Sequence, residues 1–124
     1  MRTRLYILAF LCLLGAPVSA HPNPAQSFAA CAGRFSAEME HAWLLGTSHL
    51  TQHQTSLATF VSLVEASAPT GSRRSLFHLR VEAKLAHARL LHAGTFVREV
   101  KRAAFARATA AHFIRECRKL LLGG

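Results

Sequence analysis

Two cysteines, Cys31 and Cys117, stand 86 residues apart in a chain of 124 residues, and pairing them constrains the fold more than any other feature of the sequence. The third, Cys12, belongs to an N-terminal stretch with the pattern of a secretory signal. Arg2 and Arg4 form its basic start, Leu5 to Gly15 is an apolar run too short to span a bilayer, and Val18-Ser19-Ala20 supplies small residues for cleavage. Phe10-Leu11 before Cys12 does not suit a lipid attachment site. Cleavage after Ala20 leaves 104 residues, 21–124, as a single domain exported to the periplasm or the medium. In such an oxidising space the remaining even pair is expected to form a disulfide, worth roughly 4–5 kcal/mol by loop entropy.

Apolar spacing predicts four helices. After an extended 21–24, Phe28, Cys31, Ala32, Phe35, Met39, Ala42 and Trp43 share one helical stripe that Gly46-Thr47-Ser48 ends. Ser48 is placed to cap a second helix with the stripe Leu50, Leu57, Phe60, Val61 and Val64. Ser72 is likewise placed to cap a third, Arg73 to about Ala93, with Leu76, Leu79, Ala83, Ala86 and Leu90 on its main face. The fourth runs from about Phe96 to Leu122 with Phe96, Val100, Ala103, Ala110, Ile114, Cys117 and Leu121 on its apolar face. No segment alternates with a period of two, so no sheet is expected.

Only Gly94-Thr95 separates helices three and four, and the cysteines arbitrate. A helix running straight through would carry Cys117 roughly 35 Å past Gly94 at 1.5 Å per residue. A disulfide needs Cα atoms within about 7 Å. With Gly94 ending one helix and Thr95 capping the next, an up-down four-helix bundle brings the start of helix one beside the end of helix four. The expected fold is therefore all-α, clasped by Cys31–Cys117.

Composition removes most enzyme templates. Beyond the signal the chain has no Asp and no Tyr, and it carries no Gly-x-Ser-x-Gly elbow, phosphate-cradling Gly-rich loop or dinucleotide-binding turn. Eight histidines remain. His49 and His53, His78 and Glu82, and Glu38 and His41 are three or four residues apart, a spacing that suits a shared cation and equally suits solvated surface positions. Glu38 and His41 meet the Glu-x-x-His pattern of di-iron bundles, but no second copy exists and both flank the apolar stripe of helix one. Met39 and His87 fall on apolar faces, where packing is a commoner role than haem ligation, and no Cys-x-x-Cys-His is present. No cofactor is implied. Arg80, His87 and Arg107 also lie on or beside apolar stripes, where a charge needs a partner such as Glu38 or Glu82.

Charge is divided unevenly. Residues 21–72 hold one Arg and three Glu, whereas residues 73–124 hold twelve Lys and Arg against three Glu. Arg98, Lys101, Arg102, His112 and Lys119 project away from the apolar stripe of helix four, with Phe105 among them. Such a face suits anionic lipid, polyanionic polysaccharide or an acidic protein, and equally a solubilising surface. Nucleic acid is disfavoured, since no aromatic ladder or nucleic-acid-binding motif accompanies the charge.

Leu50-Thr51-Gln52-His53-Gln54 resembles the Leu-Thr-x-x-Gln motif of small helical periplasmic stress chaperones, without the second copy usual in that family. Cys31 to Leu45 and Arg80 to His87 are similar to stretches of uncharacterised small secreted bacterial proteins, a likeness that implies export and a helical fold and carries no activity. Together these features lead to the expectation of an exported, basic helical binding protein. The alternative is a periplasmic metal- or stress-responsive protein using His49 and His53. An enzyme with Glu82 and His78 as an acid/base pair rests on spacing alone.

Overall fold

The structure, a computed structural model, describes residues 23–123, so the signal-like segment lies outside the described residues. It is an all-α bundle of four helices, α1 (Pro24–Leu45), α2 (Leu50–Ser67), α3 (Arg73–Phe96) and α4 (Val100–Leu121). α1 is the central element. α2, α3 and α4 each pack against it and α3 packs on α4, while the backbone of α2 stays clear of both, leaving a groove on either side of α2.

The ends of α1 follow from local chemistry. Asn23 accepts the Ala25 N–H through Oδ1 at 3.0 Å and Pro24 occupies the first turn, so the helix begins earlier than the extended 21–24 reading allows. Gly46 closes it in the left-handed conformation at φ 65°. Along α1 the small residues Ala25, Ala29, Ala32, Gly33, Ser36 and Ala37 are buried. Gly33 lies so close to α3 that a methyl group there would overlap the Arg80 carbonyl and come within 2.9 Å of the Lys84 nitrogen. Small side chains thus draw α3 onto α1.

Two apolar clusters result. Ala25, Ala29 and Leu76 join α1 to α3, while Phe35, Phe60, Ile114, Cys31 and Cys117 unite α1, α2 and α4. Within the second, Phe35 and Phe60 stack with centroids 5.7 Å apart. The Cys31–Cys117 disulfide, with Cα atoms 5.6 Å apart, ties α1 to α4 as the antiparallel arrangement requires. Arg34 donates to Cys117 Sγ at 3.6 Å and lies 4.5 Å over the Phe113 ring, where burial lowers its pKa from the ordinary value.

Several boundaries differ from the sequence expectation. Gly94 is inside α3, which continues to Phe96, and α4 starts only at Val100. The physical reason is a better cap four residues beyond Thr95: the Glu99 carboxylate accepts both the Lys101 and Arg102 N–H groups, at 2.9 and 2.8 Å. Gly94 instead makes room for α4. A methyl there would meet the Arg107 Cγ at 2.7 Å, and the Gly94 carbonyl accepts from the Arg107 guanidinium at 2.7 Å. Ser48 does not cap α2, since His49 holds that position without a side-chain bond. Ser72 holds the cap position of α3, but its hydroxyl donates back to the Pro69 carbonyl. Ala86 is exposed because α3 turns His87 inward in its place. Trp43, Phe96 and Val100, expected on apolar faces, are exposed at one end of the bundle.

Candidate functional site

Three of the four helices bring polar side chains together in the interior. Cys31, Phe35, Glu38 and Ala42 follow one another on α1 at three- and four-residue steps, which turns Glu38 inward beside two apolar neighbours. On α2 the same logic places His53 in the series Leu50, His53, Leu57, Phe60, Val64. His87 comes from the buried face of α3. Glu38 is the hub. His87 Nε2 donates to its Oε1 at 2.8 Å, and His53 Nε2 lies 3.9 Å from its Oε2. His87 is only 2% exposed and His53 8%.

The Nδ1 atoms of both histidines are buried without a partner. For His53 burial outweighs the carboxylate: desolvation lowers its pKa, Glu38 opposes that shift, and the charges of His49 and Arg118 add to the lowering. Glu38 and His53 open onto a groove of about 550 Å³ between α2 and α4, which His49, Gln52, Ile114, Arg115 and Arg118 also line, while His87 lies behind it. Among the described residues no group of three or more metal-ligating side chains is arranged to hold an ion. The His49 and His53 rings stand 6.2 Å apart, with His49 before the first turn of α2.

The other sequence-based pairings separate. Glu38 flanks the core, partly buried, and reaches His87 beneath it, and His41 bonds Thr95 Oγ1 at 3.0 Å instead of joining Glu38. His78 and Glu82 are an exposed pair at 3.5 Å and line none of the three cavities described. Of the three charges that needed partners, His87 finds Glu38 and Arg107 finds the Gly94 carbonyl, while Arg80 has no carboxylate within 4 Å among the described residues. His87 Nε2 is engaged by Glu38 and does not face Met39 as a paired ligand.

The basic face lies elsewhere. Ala103, Ala106, Ala110, Ile114 and Cys117 are the buried side of α4, so Lys101, Phe105, His112 and Lys119, spaced by four and seven residues, line up on the opposite side. All are exposed, Phe105 to 72%. Arg102 borders this line, and Arg98 precedes the helix in the α3–α4 connection. Lys119 pairs with Glu116 at 2.7 Å, a hydrogen bond that holds the Glu116 carboxyl below the usual range. Arg98, Lys101 and Arg102 have no acidic side chain within 4 Å among the described residues, because the nearby Glu99 carboxylate faces backbone N–H groups. Comparison with protein-family models, curated proteins and solved structures returned no match, so the functional reading rests on these residues.

Proposed function

We propose that the protein is an exported binding protein whose basic α4 face meets an anionic partner. The observation that carries this reading is the outward line of Lys101, Phe105, His112 and Lys119, extended at its start by Arg102 and Arg98. The line spans roughly 27 Å from Lys101 to Lys119 at 1.5 Å per residue. It stands on the half of the chain that holds twelve of the basic residues, while residues 23–72 are net acidic. A cationic surface of this length attracts polyanions over a Debye length of about 8–10 Å and releases them as salt rises.

Retention on immobilised heparin and co-sedimentation with phosphatidylglycerol vesicles, each followed across a salt gradient, test the reading. Salt-sensitive binding to at least one of them, lost when Arg98, Arg102 and Lys119 are changed to Glu with helical content intact, is the expected result. Binding unaltered by those changes contradicts it.

A further inference from the structure

We infer that the anionic partner is a lipid bilayer, entered by the apolar end of the bundle that also carries Arg98, Lys101 and Arg102; this rests on the reading of the α4 basic face and names its partner. The end is assembled from three helices. α1 and α3 run side by side in the same direction, since Ala25 and Ala29 pack with Leu76 near their starts and His41 reaches Thr95 and Phe96 near their ends. α4 begins four residues after α3 finishes. The last turn of α1, the last turn of α3 and the first turn of α4 therefore share one end of the molecule, and the disulfide lies toward the other.

That end is unusually apolar for a surface. Trp43 is 75% exposed, Leu44 65%, Phe96 49% and Val100 76%. Large side chains of this kind, gathered in one place, mark an interaction site. Two features select a bilayer from the possible partners. First, none of the cavities beside the α2–α3 loop, at the disulfide and along the α2–α4 groove is lined by Trp43, Leu44, Phe96 or Val100. A fluid interface conforms to exposed side chains such as these, whereas a small ligand requires enclosure. Second, the same end carries Arg98 in the α3–α4 connection and Lys101 and Arg102 in the first turn of α4, cations without acidic partners among the described residues, and apolar insertion plus attraction to anionic headgroups is the combination that binds an interface. Indole in particular favours the headgroup level. Among the described residues no helix is long and apolar enough to cross a membrane, so the contact is peripheral. Val100, Lys101 and Arg102, in the first turn of α4, are then nearest the surface, and the basic line of α4 continues from them with Phe105 next.

Trp43 is the only tryptophan of the chain and reports on the contact directly. The disulfide-bonded protein is mixed with vesicles of phosphatidylcholine alone and with vesicles that also contain phosphatidylglycerol. With the anionic vesicles, Trp43 emission is expected to move to the blue and to be quenched by lipids brominated near the headgroup. Each cation close to an anionic membrane strengthens binding by about fivefold, so changing Arg98, Lys101 and Arg102 to Gln is expected to weaken it about a hundredfold. Leu44→Ser with Val100→Ser is expected to leave the salt-sensitive attraction but remove the blue shift. Vesicle binding with unmoved, unquenched Trp43 emission overturns the inference. Salt-sensitive heparin retention without vesicle binding also overturns it and leaves the anionic-partner reading standing, whereas failure with both probes removes the two together.

Discussion

Glu38 and His87, 49 residues apart in sequence, meet at 2.8 Å between α1 and α3. The bond adds a largely buried polar tie between two helices that also meet through small side chains, the Glu40–Lys84 ion pair and the His41–Thr95 hydrogen bond. Glu38→Ala removes the acceptor and leaves His87 buried without a partner at either nitrogen, a loss expected to cost about 2–3 kcal/mol. Urea denaturation of the single variants and of Glu38→Leu/His87→Leu checks this. The double variant is expected to cost less than the sum of the singles, because it leaves no stranded imidazole at position 87 and only His53 loses its facing carboxylate.

His53 makes stability depend on pH. Its pKa is lowered in the folded protein by burial, against the pull of Glu38 and with the help of His49 and Arg118, while His87 faces the same carboxylate from α3. Above the unfolded value of about 6.5 both states hold a neutral ring and the group contributes nothing. As pH falls below that value the unfolded chain takes up a proton that the folded one resists, so stability drops until the folded pKa is passed. Melting temperature measured from neutral to mildly acid pH is expected to fall, and His53→Gln is expected to flatten that decline.

The two helix-packing glycines differ in what stands opposite them. At Gly33 an added methyl meets the α3 backbone at Arg80 and Lys84, which cannot step aside, so Gly33→Ala is expected to cost about 1–3 kcal/mol as an overpacked contact. At Gly94 it meets the Arg107 side chain, which can rotate away. The helix propensity gained by alanine, up to about 1 kcal/mol, offsets much of that adjustment. Thermal denaturation of the two variants is expected to rank Gly33→Ala as clearly the more damaging.

The disulfide closes a loop over most of the folded chain, and Cys31→Ala with Cys117→Ala is expected to lower stability by about 2–5 kcal/mol. Thiol titration of the non-reduced segment 21–124 checks the bond itself: no titratable thiol is expected before reduction, and two afterwards.

Much of the architecture is legible in the sequence because apolar side chains at three- and four-residue steps have one helical interpretation, and because Cys31 and Cys117 can meet only if the chain turns after α3. The turn itself was harder to place. Gly94 reads as a helix terminator, yet its lack of a side chain serves the approach of Arg107, and the cap belongs to Glu99, whose two hydrogen bonds residue type alone does not reveal. The polar interior is obscured for a similar reason. Glu38 and His53 read as surface by type, although their spacing from Phe35 and Phe60 already places them on the inward stripes. Trp43 and Val100 show the converse: they continue an apolar pattern past the point where a neighbouring helix remains to cover them, and so become exposed.

The central claim, that the α4 face binds an anionic partner by position and not by net charge alone, is tested most directly by two variants with equal loss of charge. One reverses Arg98, Arg102 and Lys119 to Glu; the other reverses the exposed Arg73, Arg74 and Arg89 of α3. The salt concentration that elutes each from immobilised heparin, and the fraction of each sedimenting with phosphatidylglycerol vesicles, are compared with the parent. Loss of binding to the responsive probe in the α4 variant, with the α3 variant close to the parent, is the expected result, whereas equal losses in both contradict it.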